Sequence, residues 1–338
     1  MKLFCKLLIL SPTALFLLCT GFSPTAWAGK YGFIDKNGKT VIRPRFDEAS
    51  PFYDGLAAVK VGRTWGYIDK KGKLVIRPRF EQALRFYDGL AAIKVSGKWG
   101  YIDKKGKAFI RPQFEEAWAF SYGLARVKIR GKWGYIDKKG KVIIPPQYAE
   151  GWGFSEGLAR VRVDGKWGCI DRAGETAIQP QFEDMRAFSD RLAAVRVGGK
   201  WGYLYRTGEM VIEPQFEDIW DFSEGLAAVM VSDKWGYIDK TGKFVIEPQY
   251  EEASSFSEGL VAVMMDGKWG YIDKTGAVAV QPQFDDVGDF SEGLASVEIG
   301  GKSGYIDRTG KMVIPLLYEK SFSFSDGLAA TQRASSNR

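Results

Sequence analysis

A motif of the form Trp-Gly-Tyr-Ile-Asp recurs at a constant step of 34 residues, with its first position at Tyr31, Trp65, Trp99, Trp133, Trp167, Trp201, Trp235, Trp269 and Ser303. A step held through nine copies without insertion or deletion is the signature of a repeat array, in which each unit buries its apolar face against its neighbours. The period of 34 is also that of helix-pair repeats. A proline in every unit, several glycines per unit and short β-branched runs argue against helices here.

One copy shows how a unit is built. Leu90-Ala91-Ala92-Ile93-Lys94-Val95 is rich in strand formers, Ser96-Gly97 is a turn pair, and Trp99-Gly100-Tyr101-Ile102-Asp103 resumes an extended run. Together they predict a β-hairpin. Lys104-Lys105-Gly106-Lys107 predicts a second turn, in which the Asp103 carboxylate bonds backbone amides two residues on. Ala108-Phe109-Ile110 is a third strand, closed by Arg111-Pro112 because proline donates no ladder hydrogen bond. Phe114 to Ser121 is expected to be an irregular connector with a short fourth strand. The two-residue period of a strand sets Trp99 and Tyr101 on one face and Ile102 on the other. The tryptophan is therefore expected in the core of each unit.

Residues 1–28 read as a signal peptide: Lys2 and Lys6 precede an apolar stretch from Leu7 to Cys19, and Ala26-Trp27-Ala28 is a small-x-small cleavage site. Export to the periplasm, cell surface or medium follows as an expectation, with no transmembrane segment left after cleavage. The array is assigned to 29–330 and a polar tail to 331–338. Removal of the leader takes Cys5 and Cys19 with it. Cys169, standing where seven units have Tyr, is expected to be a buried filler rather than a nucleophile. The chain contains no histidine, which excludes the commonest general base and most zinc sites. No cofactor is expected.

The run Gly-Lys-Trp-Gly-Tyr-Ile-Asp-Lys-Lys-Gly-Lys at 131–141, followed by Pro146-Gln147-Tyr148 and Phe154-Ser155-Glu156-Gly157-Leu158-Ala159, closely resembles the bacterial WG repeat. The resemblance covers all nine units and implies a β-rich repeat protein, frequently exported, with a binding role and no catalytic residues to carry over. Departures are local: Tyr31 and Ser303 replace Trp, Tyr205 replaces the turn Asp, and Arg191 replaces the Gly before Leu. The two end departures read as capping units. The expected fold is all-β, an open, curved, solenoid-like array of hairpin or meander repeats, with a closed propeller-like toroid as the alternative.

If recurrent positions build the scaffold, function belongs at positions that vary. The slot two residues before the second Phe carries Ser50, Leu84, Trp118, Trp152, Arg186, Trp220, Ser254, Gly288 and Phe322. Trp118, Trp152, Trp220 and Arg186 are candidate ligand or partner contacts, because exposed aromatic side chains stack on sugars or anchor protein partners. Charge is also uneven: 31–166 holds 28 basic against 14 acidic residues, and 201–302 holds 7 against 19. Arg43, Arg77, Arg79 and Arg111 form a basic ladder beside the recurrent Pro, and Lys60, Lys94, Lys128 and Arg162 form a second row. Such a row suits an anionic envelope polysaccharide or an acidic protein. Nucleic acid is not an expected partner of an exported chain, and opposite charge at the two ends allows head-to-tail self-association. Carboxylate pairs such as Asp47-Glu48 and Glu115-Glu116 raise the alternative of a carbohydrate-active enzyme. Their recurrence favours a structural role, and a non-enzymatic scaffold is the primary expectation.

Overall fold

A computed structural model describes residues 29–333, and no helix occurs among them. Residues 1–28, read from the sequence as a signal peptide, and residues 334–338 lie outside the described residues. The polar-tail boundary shifts: strand Ala329–Arg333 carries the array past residue 330, because Gly32 and Tyr31 supply Thr331 and Gln332 with ladder partners.

The chain opens with β1 (Tyr31–Ile34) and β2 (Thr40–Phe46). A complete sheet follows as β3 (Glu48–Ala49), β4 (Leu56–Val61), β5 (Thr64–Asp69) and β6 (Leu74–Phe80), an antiparallel meander in that spatial order. The β4–β5 pairing runs from Leu56↔Asp69 to Val61↔Thr64, which leaves a two-residue turn. In the next unit that turn is Ser96-Gly97, with φ of 49° at Ser96 and 74° at Gly97, the backbone a tight hairpin requires. The expected Asp turn is present, with the Asp103 carboxylate accepting from Lys105 N and Lys107 N at 2.9 Å. Tyr205 keeps that turn's backbone bonds, Tyr205 N to Glu209 O at 2.8 Å and Gly208 N to Tyr205 O at 2.9 Å.

The coupling of the Trp-Gly pair to the recurrent proline has a steric cause. Trp133 pairs with Tyr148 and Tyr135 with Ile144, so the third strand accommodates extra residues opposite Gly134 as a bulge. A Cβ on Gly134 would stand 2.6 Å from Ile144 O and 2.7 Å from Pro146 N, both backbone atoms. We expect Gly134→Ala to lower stability by about 3 kcal/mol, the upper end of overpacking costs, because backbone cannot rotate away. Chemical denaturation of this variant beside Gly131→Ala, whose added Cβ meets nothing within 4 Å but sits at φ +75°, checks it; an equal or smaller loss at Gly134 would remove the steric account.

Neighbouring sheets pack face to face. Trp99 and Tyr101 of one sheet meet Ala125, Val127 and Ile136 of the next, while Ile102 faces back toward Tyr67 and Phe80 of the one before. Nine such clusters occur among the described residues, one per interface. In the interface from Tyr101 the ring meets Phe120 at 4.8 Å, and its hydroxyl donates to Trp118 O at 2.7 Å. Cys169 fills the equivalent place, fully buried with Sγ 3.5 Å from Met185 Sδ, and burial pushes its thiol up to about 12.

The ends join. Strand Ala329–Arg333 pairs antiparallel with β1, from Tyr31↔Gln332 to Ile34↔Ala329, and with Tyr318–Ser321 on its other side. The ninth sheet is thus composite, with two strands from each end of the chain. The bonds across this interface repeat those elsewhere: Ser325 Oγ donates to Phe52 O at 2.6 Å, as Ser121 Oγ donates to Phe154 O at 2.8 Å. Gly55 N reaches the Asp326 carboxylate at 2.9 Å, as Gly89 N reaches Asp54 at 3.0 Å. The all-β repeat reading holds, and of its two arrangements the end pairing is that of the closed propeller-like toroid. An open array would leave two sheet edges unpaired; closure satisfies both. Tyr31 and Ser303 are accordingly not caps: each is buried and has a neighbouring sheet on both sides, as in interior units.

Candidate functional site

The carboxylate pairs are committed to the scaffold. The first member closes the β4–β5-type hairpin: Gly62 N donates to Asp47 at 2.7 Å, and Gly131 N to Glu115 at 2.9 Å. The second pairs across the ladder, Glu48 with Lys60 at 2.6 Å, Glu116 with Lys128 at 2.8 Å and Glu150 with Arg162 at 2.7 Å. The lysine row read from sequence is therefore largely neutralised at Lys60, Lys128 and Arg162. The cross-strand acids sit twelve residues upstream, a spacing that carries no meaning until the short strand is placed.

The arginine ladder divides into two kinds. Arg79 donates to Gly106 O at 2.8 Å and lies 5.1 Å from the Phe80 ring centre, which ties it to the next sheet. Arg43, Arg77 and Arg111 occupy the same exposed place in three successive sheets, and among the described residues no salt bridge involves them. The pairing of the chain ends places the basic and acidic stretches on different arcs of one ring. It also places the two end edges against each other within the chain.

The variable slot assembles a continuous feature over four sheets. Each slot residue bonds the third residue counted from the recurrent Leu, as Trp118 N does to Arg126 O at 3.2 Å and Trp152 N to Arg160 O at 3.0 Å. That third residue is Ala in six units, Ser in one, and Arg only at 126 and 160. The Arg126 guanidinium stands 4.6 Å from the Trp118 ring, 4.8 Å from Trp133 and 4.7 Å from Trp152, and donates to Gly151 O. Arg160 lies 5.0 Å from Trp152 and donates to Met185 O. Arg186 then fills the slot itself, 5.4 Å from Trp201 and 5.3 Å from Trp220. Indoles and guanidiniums alternate, an arrangement favoured by the negative face of the ring.

Burial differs along this run. Trp118, Trp152 and Trp220 are half-buried, whereas Arg126 is only 8% exposed and burial pushes its guanidinium down to about 10. Beside Arg186 stands Asp221, 7% exposed; burial raises its carboxyl, opposed by the charges of Arg186 and Arg160. Asp218 lies 3.6 Å from the Arg186 guanidinium. The sequence reading brought out Trp118, Trp152, Arg186 and Trp220, and the structure brings these four into one arc. It passed over Arg126, Arg160 and Asp221; the Ala-to-Arg exchange at one strand position was the available signal.

A ring of nine antiparallel β-repeat units, closed by the pairing of the chain ends and carrying one arc of non-repeated side chains, defines the class, a closed β-repeat scaffold. The family model described as WG containing repeat matches residues 31–64, 65–99, 99–133, 133–167, 167–201, 201–235, 235–269, 269–302 and 304–333. The chain belongs to this family. Comparison with curated proteins gives no match. Among solved structures, one titled as a eukaryotic initiation factor is similar at 10% identity and a TM-score of 0.61, over 90% of this chain and 98% of that one. BamB from Moraxella catarrhalis is similar at 13% identity and a TM-score of 0.45, over 90% and 99%. The dihydro-heme d1 dehydrogenase NirN is similar at 14% identity and 0.46, over 81% and 75%. The first similarity is one of fold alone, and at their scores the other two add no argument.

Proposed function

We propose that the chain is an exported, non-enzymatic repeat scaffold that holds an anionic cell-envelope polysaccharide. The observation that carries this reading is the set Arg43, Arg77 and Arg111, exposed, free of ion pairs and repeated at one place in successive sheets. Neighbouring sheets pack about 10 Å apart, close to the ~8 Å screening length at physiological salt, so the three charges act together on a polymer. The absence of an enzymatic role is supported by the carboxylate pairs, which close turns and ladders rather than facing each other across a cleft. A protein partner meeting the same arginines is the second reading, and acidic proteins belong among the controls.

The experiment is a binding isotherm for long-chain alginate, a polyuronate, at several salt concentrations. Wild type should bind with affinity that falls as salt rises. The triple variant Arg43→Gln, Arg77→Gln, Arg111→Gln should lose about tenfold or more at low salt and show a flatter salt dependence. Unchanged affinity and slope would mean that these arginines are solvated surface only.

A further inference from the structure

The indole–guanidinium arc ends in a set of polar atoms that the fold leaves unmatched. Arg186 Nη1, Trp220 Nε1, Asp221 Oδ1 and Trp235 Nε1 are each shut away from solvent with no hydrogen-bond partner among the described residues. They belong together: Arg186 stands over Trp220, Trp220 stacks on Trp235 at 6.3 Å and 27°, and Asp221 follows Trp220 in the chain. Buried polar atoms are normally satisfied, because an unmatched one forfeits its full hydration. Two copies of the slot away, at Gly288, and in the unit before Trp118, at Leu84, the arc is absent. Nothing in the repeat itself therefore requires these side chains.

We propose that this arc is a subsite for an acidic saccharide, with sugar rings lying on the half-exposed indoles of Trp118, Trp152 and Trp220 and a uronate carboxylate received by Arg186. The inference rests on the polysaccharide reading and narrows it to a second, distinct set of residues. Three of the four unmatched atoms are N–H donors, so the set suits an acceptor-only group such as a carboxylate better than a hydroxyl, which must also donate. Three guanidiniums, Arg126, Arg160 and Arg186, run along the arc, and Arg186 stands at its end beside Asp218 and Asp221. The indoles supply flat apolar faces whose spacing follows the step from sheet to sheet, so a linear chain of sugars passes from one to the next. Arg126 and Arg160, bonded to main-chain carbonyls, are positioning residues that hold these indoles in place.

The test titrates the full chain with an alginate hexasaccharide, following tryptophan fluorescence and heat of binding. Wild type should bind with a change in tryptophan emission. Trp152→Ala and Arg186→Gln should each weaken binding tenfold or more, the first with the salt dependence of the residual binding unchanged and the second with a flatter one. Trp152→Phe, which keeps a flat ring, should retain most of the affinity, and thermal melts of each variant separate lost binding from lost folding. The Arg43, Arg77, Arg111 triple variant should keep the emission change while its salt dependence flattens. If Trp152→Ala and Arg186→Gln fold and bind the hexasaccharide as wild type does, the arc is packing only and this inference fails while the polysaccharide reading stands. If wild type binds neither the hexasaccharide nor long alginate, both fail.

Discussion

Truncation after Leu328, which removes the strand Ala329–Arg333, is expected to cost about 5 kcal/mol or more and to broaden the unfolding transition. The strand pairs with β1 on one side and with Tyr318–Ser321 on the other, and ladder hydrogen bonds contribute about 1 kcal/mol each. Its loss also uncovers two apolar clusters at once, since Ala330 packs with Phe33, Phe46 and Phe52, and Ala329 with Tyr305 and Tyr318. A ring opened in this way becomes a linear array, in which units at the ends unfold more readily than those inside. Urea unfolding monitored by tryptophan emission gives the midpoint and slope. Removal of residues 334–338 alone is the control and should change neither. A truncated chain with wild-type midpoint and slope would show that closure adds nothing to stability.

Trp133→Ala should cost about 3–5 kcal/mol, the range for emptying a large aromatic site in a packed core. Trp133 is 8% exposed, packs with Tyr148 and Leu124, and is faced by Arg126 at 4.8 Å and Lys128 at 5.5 Å. The cavity would strand the desolvated Arg126 guanidinium, which adds to the loss. Ser303, at the equivalent place in the last unit, is already small, and Ser303→Ala should cost little. Denaturant midpoints for the two variants decide the matter. Equal midpoints would mean that the anchor indole is not core.

The repeat, the hairpin, the Asp turn and the face on which each aromatic residue lies were all legible in the sequence. These features are local, and a fixed period of 34 residues reports them nine times over. Closure was not legible, because pairing Tyr31 with Gln332 depends on the small rotation between successive sheets accumulating to a full turn. No residue encodes that angle by itself. The candidate arc was half legible: four slot residues departed from the repeat and could be found by comparing units. Arg126 and Arg160 depart just as clearly from alanine, but their strand reads as core. Only the placement of the next sheet shows that their guanidiniums reach across to carbonyls there. The ion pairs of Lys60, Lys128 and Arg162 were hidden for the same reason, since their carboxylate partners lie on two-residue strands.

The composite sheet has a consequence for how a chain of near-identical units settles on one alignment. Any unit could in principle dock against any other displaced by 34 residues, and each such slip would bury a similar interface. Only the terminal strands are half-sheets, unable to complete themselves, and only their union at Tyr31 and Gln332 leaves no strand unmatched. Gln332, fully buried and donating to Gly29 O at 2.7 Å, marks that union with a bond no interior unit makes. The seam thus fixes alignment: only the pairing of the two terminal half-sheets with each other leaves no strand of the described residues without its partner.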